Sequence, residues 1–583
     1  MKVSSTLIGV GSRWVLPNPD ASAAQALQGE LGLPRVLAAI LVQRGYSDPV
    51  AADRFLRPDL SHLHDPRDLP DYDAAISVIL GAKERKERIF VFGDYDVDGI
   101  TSASLLQRFL SRLGFDVVAQ VPERRQGYGI QESSVFAAKE AGAKVFLSCD
   151  CGSTAVKPVS MAREAGMAVV VTDHHELDEE MPDAHAVVNP HRPDSRYPFK
   201  GLSGVGVVFK LCLGLARELG VPEHQYLRAF LDLAALGTVV DVMPLVDENR
   251  VITRFGLPQI EATKKVGLRA LIAEYSKTRR QQGPLRLYDL AFGIGPRLNA
   301  AGRVSDAANA LRLLTTEDEL EAAMLAAAME EANQTRRTAQ ERAIAEAAER
   351  IVEQGLDRRN AIVVLDPGWH GGVVGIVASK LVEMFRRPVF VGTVDPETGK
   401  AKASARSIPA FHLADAIHSM HPLVSGGGHA MAAGVSFDLA RLDEFADRIH
   451  AYAGERLQPD DFLAQTRIDA VATPGELDVA TVQALAAMEP CGMGNPNPVF
   501  AVRGVRLSDV RTTKNENVVQ LKFDDGSGRP VNGVTFSQAA DFLALSPNAT
   551  LDVAFKPEVD TYYADNPRVK WTVSDFRVSE EEN

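Results

Sequence analysis

Residues 89–102 read IFVFGDYDVDGITS: an apolar run ending at Gly93 passes directly into alternating carboxylates, Asp94, Asp96 and Asp98, and then into a helical pattern. Sequence that is apolar at every position, instead of every second one, is what a parallel strand buried on both faces requires. Ligands of such sheets collect at the carboxyl ends of the strands, which is where these acids fall. The same grammar recurs twice. KVFLSCD (144–150) ends in Asp150, and AVVVTDHH (168–175) ends in Asp173, His174 and His175. Helical stretches at 100–113 and 132–142 separate the runs, so the region reads as βαβ units building a parallel sheet.

Three carboxylates crowded at one strand end repel one another unless cations compensate them. Asp-x-Asp-x-Asp-Gly also imitates the start of a calcium loop, but that loop lies between helices and needs a Glu at its twelfth position. A lone Asp after a strand is commonly a helix cap, and a lone His pair a surface feature; recurrence at successive strand ends points instead to metal ligands. Mixed carboxylate and imidazole donors suit Mn²⁺ better than an all-oxygen Mg²⁺ cage. Asp241, after LAALGTVV (233–240), is a fourth candidate that alone would read as a loop carboxylate. Two cations roughly 3.5–4 Å apart would acidify a water and steady a phosphate under in-line attack, so phosphoester hydrolysis is the expected chemistry. Neither a G-x-S-x-G elbow nor a nucleotide P-loop is present, which leaves water as the nucleophile. Cys149 and Cys151 flank Asp150 without a zinc spacing; they read as a sheet-packing residue and a small turn residue.

The chain has 583 residues, a prior of about four compact units. Hydrophobic residues at 45% and charged residues at 24% exclude global disorder. No apolar run approaches the roughly 18 residues of a membrane span, and Arg13 breaks the N-terminal stretch too early for a secretory core. Four cysteines, Cys149, Cys151, Cys212 and Cys491, fit a reduced compartment, and the expected location is cytoplasmic. Lys+Arg at 63 against Asp+Glu at 77 gives a net charge of -14, which excludes diffuse coating of nucleic acid. It does not exclude an enzyme on a polyanion, because carboxylates that hold cations still count as negative.

The expected organisation is α/β, with a helical N-terminal cap (1–85), a parallel-sheet catalytic domain (86–315), a helical connector (316–356), a second α/β domain (357–460) and a strand-rich end (461–583). Five strand-like runs in the last suit a small β-barrel. The connector is one helix of roughly 60 Å at about 1.5 Å per residue, or is broken near Asn333. Its start carries capping-box candidates Thr315/Asp318 and Thr316/Glu319.

Together GDYDVDGITS, SCDCG, TDHH and GTVVDVMPL resemble the four motifs of the DHH phosphoesterase family, and SGGGHAMAAG (425–434) resembles the Gly-rich motif of its accessory DHHA1 domain. RGYSDPVAADRFLRP, PERRQGYGI, LSGVGVVFK, GIGPRLNAAGR, SARSIP and the β-rich end extend the likeness over about residues 30–577. They resemble the RecJ branch of that family, the 5′→3′ exonucleases specific for single-stranded DNA. The resemblance implies a DHH catalytic domain, a DHHA1-like domain and an OB-like barrel, with degradation of single strands to 5′-mononucleotides in recombination and repair. It implies that Asp96, Asp98, Asp150, His174 and Asp241 bind two Mn²⁺ or Mg²⁺ ions, with Asp150 bridging. Asp94 would support the first ion, and His175 would donate to the scissile phosphate. Arg297, Ser404 and Arg406 match the pocket for the terminal 5′ phosphate, with Gly426, Gly427, Gly428 and His429 adding donors. Tyr128 offers a ring for base stacking. PERRQGYG is one residue shorter than the family pattern, which leaves Arg124 and Arg125 without a role. In the barrel, Lys514, Lys522, Lys556, Arg568, Lys570 and Trp571 would supply charge and stacking. Implied partners are single-strand-binding protein, a RecQ-type helicase and mismatch-repair factors; apart from the resemblance, the default expectation is a monomer. The competing readings are a DHH enzyme acting on short oligonucleotides, cyclic dinucleotides or pyrophosphate, and a catalytically dead scaffold. Crowded carboxylates, which a scaffold does not need, speak against the second.

Overall fold

Ile89–Gly93 is a strand of a parallel sheet in the order Val117–Gln120, Ile89–Gly93, Val145–Cys149, Ala168–Thr172, Ala186–Val188. The computed structural model describes residues 6–579 apart from 9–10, 124–126, 128, 280–282, 305, 396–397, 474, 527, 529 and 561–566. Chain order and sheet order reverse between Ile89–Gly93 and Val145–Cys149, and in such open sheets the crevice at that switch point is where ligands bind. Helices Val97–Arg112, Gly204–Glu218 and Glu223–Val240 pack together over the sheet. Val91, Leu147 and Val170 from the strands meet Leu106, Val205, Leu211 and Leu233 from the helices in one buried cluster. Cys149 lies in this core, and Cys151 is buried on the opposite face with Phe92 and Phe146.

The chain forms two units: Pro58–Thr338 with Pro490–Pro496, and Met1–Arg57 with Ala339–Glu489 and Asn497–Asn583. In the second, a mixed sheet runs Ser425–Gly428, Ala432–Asp438, Lys400–Arg406, Val389–Val394, Ile362–Leu365. Helix Val374–Phe385 packs on it. Among the described residues, five strands close a barrel in the order Phe500–Thr512, Val519–Asp524, Pro530–Thr535, Arg568–Val578, Thr550–Asp560, the last pairing back on the first. The single parallel pair in that circuit, Pro530–Thr535 with Arg568–Val578, gives the Greek-key connectivity of an OB barrel.

Three expectations change. The stretch 1–85 is not helical throughout: Thr6–Ile8 and Ser12–Val15 are strands, and Ser12–Val15 pairs in parallel with Ala464–Arg467. The cause is tertiary. Trp14 is fully buried and donates to Asp575 Oδ2 at 2.8 Å, an oxygen that also takes Ser12 Oγ at 2.7 Å. The connector is one unbroken helix, Glu319–Glu353, the first of its two expected forms, and Asn333 is buried within it; what changes is its cap. Neither proposed capping box caps it; Asp318 does, with Glu321 N donating to Asp318 Oδ1 at 2.9 Å while Asp318 N donates to Thr316 Oγ1 at 3.1 Å. Finally, Trp571 is only 3% exposed and stacks on Phe555, with ring centroids 4.0 Å apart. It is part of the barrel core and presents no stacking face to solvent.

Candidate metal centre and anion site

The centre is built from the carboxyl ends of three strands and the end of one helix. Gly93 and Gly99 are forced by close approach: a Cβ on Gly93 would lie 2.5 Å from Gly99 O, and one on Gly99 would lie 2.4 Å from Asp94 N. Only glycines let the strand turn into helix Val97–Arg112 so tightly. Asp96 caps that helix, accepting from Asp98 N at 3.0 Å and Gly99 N at 3.1 Å. Asp98 is held from the other side, because Gly204 N donates to its Oδ2 at 2.6 Å and Val205 N to its Oδ1 at 2.8 Å. Asp150 takes a left-handed conformation, φ +60°, which an Asp tolerates better than most residues. Its carboxylate lies against Gly204, where any Cβ would come within 2.5 Å of Asp150 Oδ1. Asp241 ends helix Glu223–Val240 and is therefore a helix C-cap, not a strand end as the other acids are.

These side chains converge. His174 Nε2 lies 3.2 Å from Asp150 Oδ1, 3.7 Å from Asp241 Oδ2 and 3.8 Å from Asp98 Oδ2. Three groups of donor atoms each fall within 4.8 Å: Asp94, Asp96 and Asp150; Asp98, His174 and Asp241; and Asp150, His174 and His175. Asp150 and His174 each belong to two of them.

Electrostatics follow from the crowding. Burial and the neighbouring Asp96 charge push Asp94 and Asp98 up to about 7. Burial, then Asp98 and Asp96, raises Asp150 well above the carboxylate range and Asp241 to about 9. Burial and the charge of His175 lower His174 to about 4, leaving it a neutral imidazole, the form that ligates metals. Asp173 and His175 go the other way. Burial opposes both charges, but the 2.8 Å contact between His175 Nδ1 and Asp173 Oδ1 wins, holding Asp173 at about 2 and raising His175 to about 9. Asp173 also accepts from Ser153 N at 2.9 Å and His174 N at 2.8 Å, and Asn189 Nδ2 donates to His175 O at 2.8 Å. Asp173, Ser153 and Asn189 thus position both histidines. Sequence reasoning gave them no separate role, although Asp173 stood in the motif.

Divalent cations fit these residues. Four carboxylates with raised pKa and one neutral imidazole are a donor set that lacks positive charge, and among the described residues Asp94 Oδ1 is buried without a hydrogen-bond partner.

The residues expected at the phosphate end lie in two different units. Ser404 and Arg406 stand on Lys400–Arg406; Ser404 pairs with Gly434, which pairs on its other side with Gly427. Gly426, Gly427 and Gly428 form no loose turn: Ser425–Gly428 is an exposed edge strand. His429 follows directly, its N donating to Ala432 O at 2.8 Å. Arg406 is half-buried, Nη1 donating to Ala405 O at 2.8 Å, and its Nη2 lies 3.3 Å from where a Cβ on Gly375 would stand, near the start of helix Val374–Phe385. Burial lowers its pKa, and among the described residues it has no ion-pair partner. Arg297 is different. It is 4% exposed, donates to Gly293 O at 2.7 Å and Thr278 Oγ1 at 3.1 Å, pairs with Glu330 and lies over the Tyr275 ring. A phosphate could engage it only by breaking those contacts. Tyr128, Arg124 and Arg125 lie outside the described residues. No helix among the described residues is long and apolar enough to cross a membrane.

Comparison with known proteins gives the same picture. The model of the DHH family, N-terminal domain, matches residues 88–238, that of the DHHA1 domain 358–455, and that of the RecJ OB domain 468–575. The chain is 38% identical over 501 residues to the single-stranded-DNA-specific exonuclease RecJ of Bacillus subtilis, covering 86% of this chain and 62% of that protein. It is 35% identical over 552 residues to the RecJ of Dickeya dadantii, covering 91% of this chain and 94% of that one. The crystal structure of Thermus thermophilus RecJ in complex with Mn²⁺ superposes with a TM-score of 0.81 at 31% identity, covering 97% of this chain and 80% of the other. The Mg²⁺ complex of the same protein gives 0.76, with 97% and 78% covered. The chain belongs to the RecJ family of single-stranded-DNA-specific exonucleases.

Proposed function

We propose that this chain hydrolyses single-stranded DNA from its 5′ end, releasing 5′-mononucleotides, in recombination and repair. The observation that carries the reading is the convergence of Asp94, Asp96, Asp98, Asp150, Asp241 and His174 at the carboxyl edge of a parallel sheet, with the pKa values of Asp94, Asp98, Asp150 and Asp241 raised. When bound, two divalent cations supply charge that acidifies a water and offsets the charge growing on a phosphodiester during in-line displacement. Asp96, Asp98, Asp150, His174 and Asp241 would hold them, with Asp150 shared because it stands with Asp94 and Asp96 and also lies 3.2 Å from His174 Nε2, which groups with Asp98 and Asp241, and with Asp94 in support. His175, kept protonated by Asp173, is a cationic donor for the scissile phosphate. Neutral His174 stays a ligand instead of competing for protons.

In the other unit, Ser404, Arg406, His429 and the edge amides of Gly427 and Gly428 would receive the terminal 5′ phosphate. A half-buried guanidinium without a carboxylate partner is suited to an anion. Arg406→Gln is expected to lower the preference for 5′-phosphorylated over 5′-hydroxyl strands by roughly 10- to 100-fold, the worth of a charged hydrogen bond. Paired kcat/KM measurements on the two strands check it, and an unchanged ratio would remove Arg406 from this role. Single-strand-binding protein and a RecQ-type helicase belong to the same proposal through family resemblance; a monomer is its default, and the cytoplasmic location follows from the sequence reading.

The direct experiment incubates single and double strands, labelled at the 5′ or the 3′ end, with Mn²⁺. The expected result is immediate release of labelled mononucleotide from 5′-labelled single strands and progressive shortening of 3′-labelled ones. Release from the 3′ end first, or equal attack on duplex, would refute the polarity or the strand specificity.

A further inference from the structure

Two aromatic rings stand in solvent on a stretch of chain that runs to the metal centre, with no role in the account so far. Phe292 is 70% exposed and Tyr288 62%, and their rings lie 4.8 Å apart at a tilt of 32°. Large aromatic side chains are ordinarily buried, so an exposed pair with open faces invites a partner. The rings sit on a rigid base. A π-helical turn, Leu290–Ile294, carries Phe292 outward while Leu290 and Ile294 are fully buried. Just before it, buried Asp289 takes Tyr275 Oη at 2.6 Å and Arg279 Nη2 at 2.8 Å.

The same run of chain reaches the centre at two points. Gly295 packs on Val240, where a Cβ would lie 2.5 Å from Val240 Cγ2, and Val240 directly precedes Asp241. Asn299, in the following helix Gly295–Val304, accepts from Val97 N at 3.2 Å, between Asp96 and Asp98. Arg286, two residues before Tyr288, is half-exposed and shares Asp289 with Arg279, so two guanidinium groups meet one carboxylate beside the rings' segment.

We propose that Tyr288 and Phe292 form a base-stacking platform that seats the single strand next to the hydrolytic centre. The inference rests on the single-strand reading above and deepens it. Every base has a π-face, so such a platform is indifferent to sequence, whereas bases inside a duplex have no face to offer. It therefore contributes to selection of single strands as well as to affinity.

The test uses the full chain with Mn²⁺ and compares Tyr288→Leu, Phe292→Leu and Phe292→Trp. Leucine keeps apolar surface but removes the ring; tryptophan keeps a ring. The KM for a long single strand is expected to rise roughly 5- to 100-fold in each leucine variant, the range of a lost base stack, and to stay near the wild-type value in Phe292→Trp. A hydrolysis-resistant phosphorothioate strand carrying 2-aminopurine at successive positions supplies the second readout. Its fluorescence should be quenched at a defined position by wild type and by Phe292→Trp, and not by Phe292→Leu. A wild type that degrades the strand, with leucine variants matching it in both KM and quenching, would overturn the platform alone. A wild type without action on single strands would overturn the parent reading with it.

Discussion

Asp150→Asn is expected to reduce hydrolysis by roughly 10³-fold or more, since it removes charge from the one carboxylate that stands in two of the donor groups. Asparagine is the informative substitution. Asp150 has φ +60°, a conformation that asparagine adopts readily and that costs alanine on the order of 1–2 kcal/mol. Asp150→Ala would therefore mix a backbone effect with a lost ligand. The asparagine also resembles the protonated carboxyl that burial favours in the metal-free protein. Metal-free Asp150→Asn should melt at or above the temperature of metal-free wild type, with a gain that widens as pH rises. Turnover near the wild-type rate in the purified variant would break the mechanism; a lower melting temperature at high pH would contradict the electrostatic argument.

The second large effect is a linkage between pH, cations and stability. Asp94 and Asp98 lie near 7 and Asp241 near 9 in the folded chain, against 3.8 for an ordinary aspartate. Between those values the folded protein holds more protons than the unfolded one, so its stability falls as pH rises. The contribution is complete below about 3.8 and falls away above it, gone by about 7 for Asp94 and Asp98 and by about 9 for Asp241. His175, raised to about 9, acts in the same direction. At roughly 1.4 kcal/mol per pKa unit the loss amounts to several kcal/mol, shared among coupled groups. Cations replace those protons, so Mn²⁺ binding should release protons and tighten with pH. Thermal melts in EDTA and in excess Mn²⁺ at steps from pH 6 to 9 check this: the EDTA curve should drop while the Mn²⁺ curve stays nearly level. A metal-free melting temperature that is flat or rising over that range would contradict the crowding of charge on which the centre depends.

The catalytic sheet was legible in the sequence because its strands are buried on both faces and read as continuous apolar runs, with the acids falling where such strands end. Asp94, Asp96, Asp98, Asp150 and His174 were therefore visible as neighbours before any coordinates. Asp241 was not visible by that rule, since it closes a helix and joins the others only through the packing of Glu223–Val240 on Val97–Arg112. Other misses share that origin in long-range contacts. Ser12–Val15 becomes a strand because its partner lies some 450 residues away at Ala464–Arg467. Trp571 looked like a nucleic-acid contact among lysines, but the barrel closes around it. Arg297, expected at the phosphate end, meets Glu330, Gly293 and Thr278 in this structure, contacts that its sequence neighbours do not announce. Tyr288 and Phe292 were given no role in the sequence analysis, because nothing in an apolar stretch marks which of its aromatic residues face solvent. In the structure Phe292 lies in the π-helical turn and faces solvent.

The central claim is a dinuclear centre shared by Asp150. Diffraction from crystals soaked in Mn²⁺, collected at the manganese absorption edge, tests it most directly. Two anomalous peaks are predicted, both within about 2–2.6 Å of carboxylate oxygens and each in reach of Asp150. A single peak, or peaks remote from Asp150 and His174, would contradict the account.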